Sequence, residues 1–365
     1  METMTTRLMK TPLASALLAL TCLSLHAADH PFTIEKDKAG GVTVKVNGKA
    51  FASYVIDQAN KPYLWPVYGP TGKAMTRAYP MQDVAGETKE QRDHPHHRGI
   101  VFGHESSGGG AWKFPEIWDG ITGEEKHTGG GDTWHERATF EEFMQNPKSA
   151  LRGKQRLAMV ARIAHREFTE LKADGDKAVV ASVCDYLDPS GKRFLTEERR
   201  LTFRVIGEMR ALDFDQDFIA SDGDVRFDDH KDAGLSIRVP ASMAVDSKQG
   251  GHIVNSAGQT DKDAWGKPAT WCDYHGPVDG EQLGIAMLNH PDSYRHPTRW
   301  HVRTYGLFTA NPFAQRDYDK ALPDGTTPLK SGERLKLRHR FLFHTGDEKS
   351  AKIAEAFADY AKEKK

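Results

Sequence analysis

The sequence predicts an all-β fold, a large antiparallel β-sandwich or a barrel that is closed by one C-terminal helix. Apolar and polar residues alternate with a period of two in several segments, whereas helical spacing is rare. Long loops rich in glycine, proline and aspartate separate these segments. Because no repeat or proline- and serine-rich linker divides the chain, we expect a single domain.

Strand patterns run along the whole chain. They are clearest at residues 42–46, 51–56, 178–183, 201–205, 284–288 and 335–343. Between the first two, the pair Asn47-Gly48 favours a tight hairpin turn. We therefore expect an antiparallel hairpin near the start of the domain and buried strands in its middle.

The last segment has the one clear helical pattern in the sequence. Ile353, Phe357 and Tyr360 share one face of a helix, and Asp347 or Ser350 can cap its start. We expect this helix to pack on the sandwich.

One predicted strand carries acidic residues on a single face. Asp213, Asp215 and Asp217 alternate with Leu212 and Phe214. Three carboxylates at this spacing could collect a hard cation. A solvent-exposed outer face of the sheet is the favoured interpretation.

The first residues have the layout of a secretory signal peptide. Arg7 and Lys10 precede an apolar stretch that ends at Leu25, and small residues follow at Ala27 and Ala28. This stretch is shorter than the roughly 20 apolar residues that a membrane-spanning helix needs. We expect export to the periplasm or the extracellular space.

These features divide the chain into a signal peptide, residues 1–27, and a single β-sandwich domain, residues 28–365. No later stretch approaches about 18 uninterrupted apolar residues, so we do not expect the domain to be membrane-embedded. The 50 Lys and Arg residues balance 51 Asp and Glu residues, and no long basic block exists. We expect no nucleic-acid partner and predict a small-molecule carbohydrate ligand. Cys184 and Cys272 leave two alternatives open, one disulfide or two buried thiols.

The most informative segment is Asp93-His94-Pro95-His96-His97-Arg98-Gly99. In an extended backbone, His94 and His96 point to one side and His97 to the other. Two imidazoles on one side can share a proton or a metal ion, and Arg98 can bind an oxyanion or a carboxylate.

Six of the 17 histidines fall between residues 94 and 135. This density favours a functional pocket over a loop whose imidazoles only bond backbone carbonyls. His104-Glu105 follows as an acid/base or ligand pair. The cofactor is unknown, and His94, His96 and His104 are a possible set of ligands for a divalent metal ion.

Tryptophans in polar, glycine-rich loops favour a sugar-like ligand. Trp112 and Trp118 lie just after the histidine run, and Trp300 adjoins His301. Indole faces pack well on the apolar face of a pyranose, although aromatic residues serve equally well as core. The set predicted to bind substrate is His94, Trp112, Trp118, Lys231, Arg238, His290, Trp300, Arg303 and Asn311.

The sequence resembles a family of exported bacterial proteins labelled "methane oxygenase PmoA". The matching motifs include Lys61-Pro62-Tyr63, the DHPHHRG segment at 93–99, Asn289-His290-Pro291, Trp300-His301-Val302-Arg303, Asn311-Pro312-Phe313 and His344-Thr345-Gly346-Asp347. The resemblance implies a galactose-mutarotase-like β-sandwich, or supersandwich. A membrane methane oxygenase subunit needs several long apolar helices, so we do not expect that activity.

The resemblance also implies a type of mechanism. In mutarotase-like enzymes, a histidine acid and a carboxylate base act across the concave face of a sheet. This implies His96, His97, His230 or His301 as the acid and Glu105 or Asp229 as the base. With Arg98, these residues make up the predicted catalytic set.

Three functions remain open at this point. The leading one is acid/base catalysis on a sugar by a carbohydrate epimerase, lyase or glycosidase, in a pocket rich in His and Trp. The second is a non-catalytic sugar-binding protein. The third is a metal protein with histidine ligands.

Overall fold

The computed structural model describes residues 1–2, 30–85, 87–109 and 130–364. The strands in the first part of this range are β1 (Phe32–Lys36), β2 (Val42–Val46), β3 (Lys49–Val55), β4 (Tyr63–Val67), β5 (Ile100–His104), β6 (Ser107–Gly109), β7 (Arg162–Asp174), β8 (Lys177–Leu187), β9 (Arg193–Ile206) and β10 (Met209–Ile219). Those in the second part are β11 (Val225–Phe227), β12 (Ala233–Arg238), β13 (His252–Asn255), β14 (Trp271–Val278), β15 (Glu281–Asn289), β16 (Arg299–Val302), β17 (Leu307–Asn311), β18 (Thr327–Leu329) and β19 (Arg334–Thr345). The α-helices are α1 (Arg137–Gln145), α2 (Ala150–Leu157) and α3 (Ile353–Tyr360), and short 3-10 turns lie at Glu90–Arg92, Ala241–Met243, Val245–Ser247 and Asp261–Ala264.

Two eight-stranded antiparallel sheets form a sandwich. The first sheet has the order β1-β2-β3-β4-β5-β12-β17-β16, and the second has the order β13-β14-β15-β19-β10-β9-β8-β7. A small sheet, β18-β11-β6, lies beside them. The predicted antiparallel β-sandwich with a C-terminal helix is confirmed.

The core lies between the two large sheets. Phe51 of the first sheet meets Phe203 of the second with ring centroids 5.2 Å apart, and Phe102 meets Phe218 at 4.9 Å. These side chains belong to one continuous buried apolar cluster. The alternation in the sequence arises because one face of each sheet turns toward this cluster.

The predicted hairpin is confirmed at β2 and β3. Asn47 and Gly48 adopt φ values of 52° and 71°, the left-handed conformations that a two-residue hairpin turn requires. Val42, Val44 and Val46 are buried, as the alternation predicted.

Helix α3 is confirmed, but its predicted cap is wrong. The residue before the helix is Lys352, and no side chain caps the first turn. Asp347 and Ser350 instead bond to each other in the preceding turn, where the Ser350 N–H donates to Asp347 Oδ1 at 2.8 Å. Helices α1 and α2 were not predicted, because short helices with few buried residues carry a weak periodic signal. Among the described residues, none of the helices has the length and apolar character needed to cross a membrane.

The acidic face of β10 is not simply exposed to solvent. Asp213 is buried beneath α3, where the Arg340 guanidinium binds both of its carboxylate oxygens and also binds Glu363. Tyr360 packs over this ion pair, with the Arg340 guanidinium 4.3 Å from its ring centroid. The C-terminal helix therefore closes a sheet face that sequence alternation alone assigns to water.

Cys184 and Cys272, the two cysteines of the described residues, are free thiols. Cys184 and Cys272 are both buried, and Cys184 Sγ lies 3.7 Å from the Tyr54 hydroxyl oxygen. Burial raises the pKa of the Cys184 thiol to about 11. Both residues therefore act as small core side chains rather than as reactive groups.

Candidate functional site

A cavity of about 710 Å³ opens at the end of β5 and the start of β12. Its lining includes Glu105, His135, Arg156, His230, Lys231 and Asp232. Glu105 follows β5, His135 precedes α1, Arg156 comes from α2, and residues 228–232 connect β11 to β12. Four separate segments thus place charged or titratable side chains around one sugar-sized space.

Glu105, His230 and Asp232 form the centre of the cavity. One ligand-type atom from each lies within 4.8 Å of the others, and His230 Nδ1 lies 3.4 Å from Glu105 Oε2. Arg156 forms an ion pair with Glu105, and Lys231 Nζ lies 2.5 Å from Asp232 Oδ2. Each carboxylate therefore has a cationic side chain beside it.

His135 and Asp132 form a buried pair on one wall. His135 Nδ1 lies 2.9 Å from Asp132 Oδ2, while Asp132 Oδ1 accepts the backbone N–H groups of Trp134 and His135. Burial alone would lower the pKa of His135, but the charge and hydrogen bond of Asp132 outweigh it and raise that pKa. The site thus favours a protonated imidazole that borders the cavity.

Asp232 and His301 form a second pair. His301 Nε2 lies 3.8 Å from Asp232 Oδ1. Burial would raise the pKa of Asp232, but nearby positive charges, among them those of Lys231 and His135, outweigh it and hold that pKa well below its usual range. Burial also lowers the pKa of His301 to about 3, so this ring is neutral near pH 7. Asp232 is therefore an ionised carboxylate.

The DHPHHRG segment forms a tight turn rather than the extended run that we predicted. His94 has a φ of 47°, and the His97 N–H donates to the His94 carbonyl at 3.0 Å. The rings of His94 and His97 consequently stack in parallel with centroids 4.9 Å apart. Arg77 and Arg238 hold the turn because both donate to Asp93 Oδ1, at 2.7 and 2.6 Å.

His96 joins this turn to the cavity. Its ring centroid lies 4.4 Å from that of His135, and its Nδ1 is 3.0 Å from Thr139 Oγ1. His97 Nδ1 accepts a hydrogen bond from Arg238 at 3.1 Å. Burial holds the pKa of both His96 and His97 well below its usual range, so both rings are neutral.

Arg98 does not have the role that its position in the motif predicted. Its Nε and Nη2 donate to the two carboxylate oxygens of Glu136 at 2.8 and 3.0 Å. This bidentate pair satisfies the guanidinium. Arg98 therefore anchors the start of α1 and is not placed to receive a substrate oxyanion.

Three predicted residues lie away from the cavity or face the core. His104 shares the inner face of β5 with Phe102 and packs between Phe227 and Phe313, at 5.5 and 5.0 Å. Trp300 is buried in the core, where its Nε1 donates to the Ala269 carbonyl. His290 packs against Tyr360 of α3 at 4.9 Å. Their strand faces and the terminal helix decide these positions.

Two other predicted residues support the loop that carries His230. Asn311 Nδ2 donates to the carbonyls of His230 and Lys231 at 3.0 and 2.9 Å. The Asp229 carboxylate accepts backbone N–H groups from residues 315–317 and from Gly325. Both oxygens of Asp229 are thereby engaged in holding loops, so the structure assigns Asp229 a structural role and not that of a base.

Several predicted site residues do lie at the cavity. Glu105, His230, Lys231 and His301 meet at the cavity or at its edge, and Arg303 lies near His301. Trp112 and Trp118, like most of the predicted signal peptide, lie outside the described residues.

Sequence reasoning missed four residues of the site: Asp132, His135, Arg156 and Asp232. His135 was counted in the histidine-rich region but was not assigned a role. Asp132 lies three positions before His135, and an aspartate at this spacing commonly accepts hydrogen bonds within a short turn. This spacing could have identified the pair. Arg156 carried no signal, because it lies on a helix that the periodicity did not show.

A family model matches residues 41–358 of the sequence. The chain belongs to that family, which is described as a family of unknown function, DUF6807. No curated protein matches this DUF6807 chain.

Solved structures with a similar arrangement of strands share little sequence with the DUF6807 chain. Galactose 1-epimerase from Lactobacillus acidophilus NCFM aligns over 87% of this chain and 98% of its own, with 9% identity and a TM-score of 0.38. The α-galactosidase from Lactobacillus brevis aligns over 88% of this chain and 39% of its own, with 8% identity and a TM-score of 0.32. A polysaccharide lyase aligns over 89% and 34%, with 13% identity and a TM-score of 0.29. At these TM-scores the likenesses do not assign an activity to the chain.

The described residues contain three groups whose side chains could hold a metal ion. They are Glu105-Asp132-His135, Glu105-His230-Asp232 and Asp273-His275-Glu348. The predicted set of His94, His96 and His104 is not among them, because His104 faces the core. In the two groups at the cavity, Arg156 and Lys231 already neutralise the carboxylates, so a divalent ion would compete with these cations.

Proposed function

We propose that this DUF6807 protein is an exported carbohydrate-active enzyme that carries out acid/base chemistry on a sugar in the cavity. The observation that carries the proposal is a pair of side chains on the cavity wall, one that favours its protonated form and one that favours its deprotonated form. Asp132 favours the protonated form of His135, and Lys231 favours the ionised form of Asp232. Titratable groups whose surroundings separate their pKa values in this way are suited to act as acid and base.

In this mechanism, His135 donates a proton to a sugar oxygen and Asp232 removes a proton or stabilises positive charge at the anomeric carbon. Epimerases, lyases and glycosidases all need such a pair around one sugar ring. Glu105 and His230 also line the cavity, and they bind hydroxyl groups of the sugar. A cavity of about 710 Å³ falls within the range of small-ligand pockets, about 300–1,000 Å³.

Turnover assays with oxidised and unoxidised mono- and disaccharides, followed by NMR, test this proposal. We expect His135→Gln and Asp232→Asn to reduce turnover by about 100-fold or more while the protein stays folded. Asp57→Asn is the matched control, since Asp57 is an exposed carboxylate whose partner is Arg162. No turnover of any sugar by the wild-type protein, together with saturable sugar binding, would identify a non-catalytic binding protein instead.

Export is the second part of the proposal, and residues 1–27 support it. Fractionation of cells that express the full chain should place the protein outside the cytoplasm, with an N-terminus near residue 28. Recovery of an uncleaved chain from the cytoplasm would contradict this part alone.

A further inference from the structure

A group of side chains beside Asp232 has hydrogen-bonding capacity that the described residues do not use. We call Trp265, His301, Arg303 and Tyr305 the rim subsite. Arg303 follows β16, and its guanidinium lies 5.5 Å from the ring centroid of Tyr305 and 5.8 Å from that of Trp265. Two aromatic rings thus hold the arginine in place near His301.

Arg303 differs from Arg98, Arg156 and Arg238 in having no acidic partner among the described residues. Arg98 binds Glu136, Arg156 binds Glu105, and Arg238 binds Asp93. Within residues 30–85, 87–109 and 130–364, no carboxylate lies within ion-pair distance of Arg303, and its guanidinium makes no hydrogen bond there. A half-buried guanidinium without an anion is a ready receptor for a planar, two-oxygen group.

Two buried nitrogen atoms of the rim subsite are also without partners in the described part of the chain. They are Trp265 Nε1 and His301 Nδ1. The two rings lie 6.2 Å apart, and the His301 side chain is only 3% exposed. Buried polar atoms normally have a partner, so two such atoms next to an unpaired arginine indicate a ligand.

The chemistry of these atoms defines what the ligand offers. The indole N–H and the guanidinium can only donate hydrogen bonds, so they require acceptor oxygens. When His301 carries its proton on Nε2, toward Asp232, its Nδ1 accepts a hydrogen bond from a hydroxyl group. A carboxylate with a hydroxyl group nearby satisfies all three.

We propose that the rim subsite binds the carboxylate of a uronic acid residue, so that the substrate class is an acidic sugar. The inference rests on the proposed function, because it places the carboxylate of the same sugar beside the acid/base pair. Lys231, which lies next to Asp232, offsets the repulsion between that carboxylate and the substrate carboxylate. Arg303 thereby takes the role that the sequence predicted for Arg98.

Calorimetric titration of the full chain with three methyl glycosides tests the inference. The probes are methyl β-D-glucuronide, its methyl ester and methyl β-D-glucoside, and methyl β-D-glucoside 6-sulfate serves as a fourth arm. We expect the glucuronide to bind about tenfold or more tightly than the ester and the glucoside. Arg303→Gln should abolish this difference, chiefly by weakening the binding of the glucuronide.

Two further variants keep the test specific. Lys267→Gln removes the same charge from an exposed neighbouring position and should leave the preference intact. Trp265→Phe keeps an aromatic ring at this position and removes the indole N–H, so it should reduce the preference even if Arg303→Gln fails to fold.

The outcomes separate this inference from the proposed function. Equal affinities for glucuronide, ester and glucoside, unchanged in Arg303→Gln, would overturn the acidic-sugar inference and leave sugar chemistry in place. If the 6-sulfate binds more tightly than the glucuronide, the rim subsite recognises a sulfate ester rather than a carboxylate, and the acidic-sugar inference is overturned as well. No binding of any of the four probes, with no turnover of any sugar, would overturn both.

Discussion

The buried Asp132 carboxylate beside His135 raises the pKa of that imidazole and so favours its protonated form. The carboxylate is held by backbone N–H groups as well as by Arg156, so it cannot turn away from the imidazole. The charge of His135 therefore depends on Asp132, which does not need to contact the substrate. Asp132 is in this sense a positioning residue.

A change in pH dependence follows from this pair. Asp132 raises the pKa of His135, so the protonated acid persists above the pH at which an ordinary histidine loses its proton. Activity that needs this proton is present below the raised pKa and is lost as the pH rises through it. In Asp132→Asn the pKa falls, and we expect the alkaline limb of the pH–rate profile to move to lower pH.

Measured pH–rate profiles and NMR titration of His135 check this prediction. Asp261→Asn is the control, because Asp261 forms a similar contact with His252 in another part of the molecule. An alkaline limb that stays in place in Asp132→Asn would show that His135 is not the acid.

At the residue scale, the sequence located the region of the site better than it assigned the roles. The concentration of histidines indicated a pocket in this region, and the ring of His96 contacts that of His135, which lines the cavity. The sequence predicted that Arg98 binds substrate. Its true partner, Glu136, lies 38 positions away in the sequence and therefore could not be recognised. Such a pairing depends on how α1 packs, which neither residue signals locally.

The loop between β11 and β12 depends on side chains from other elements. Asn311, at the end of β17, is fully buried and donates to two of its carbonyls. The loop carries both His230 and Asp232, so its conformation sets the geometry of the cavity.

Asn311→Ala should weaken both stability and ligand affinity. Loss of the amide leaves buried carbonyls without donors, which costs about 1–3 kcal/mol. We expect urea denaturation to show this loss and calorimetric titration to show weaker sugar binding. Asn255→Ala is the matched control, since Asn255 is equally buried but holds the turn that leads to Gln259. It should destabilise the protein and leave sugar affinity intact; equal loss of affinity in both variants would contradict a specific role for Asn311.

The pairing of β15 with β19 requires a glycine at one position. A Cβ atom at Gly284 would lie 2.1 Å from His344 Cε1. His344 Nε2 in turn lies 2.7 Å from the buried Asp273 carboxylate. The absence of a side chain at Gly284 therefore leaves room for a buried ion-pair network.

Gly284→Ala should destabilise the protein by about 1–3 kcal/mol, because it overpacks this contact. In a His344→Ala background, the added methyl group has space, and we expect the cost of the same substitution to fall below about 1 kcal/mol. Denaturation of the four members of this double-mutant cycle gives the coupling. Additive effects would show that His344 does not cause the strain.

At the scale of the whole molecule, the two large sheets share one core. Aromatic contacts such as those of Phe51 with Phe203 and of Phe102 with Phe218 cross the interface between the sheets. The small sheet joins the same apolar cluster through Val225. Neither sheet can lose its partner without exposing this cluster to water.

We therefore expect the protein to unfold in a single cooperative transition. Scanning calorimetry should give one peak with equal calorimetric and van't Hoff enthalpies. Two separate peaks would contradict the prediction of a single domain over residues 28–365.

The sequence by itself determined the clearest strands, the Asn47-Gly48 hairpin and the terminal helix, because backbone preference and alternating polarity act between close neighbours in the chain. It also predicted functional residues within 94–135 and 228–232, and several side chains of these ranges line the cavity. Only the tertiary structure decided which side chains meet. It placed the side chains of His104 and Trp300 in the core. It also paired Arg98 with Glu136, and it brought His135 and Asp232 to one cavity. These outcomes depend on strand faces and helix packing, which contacts between distant parts of the chain establish.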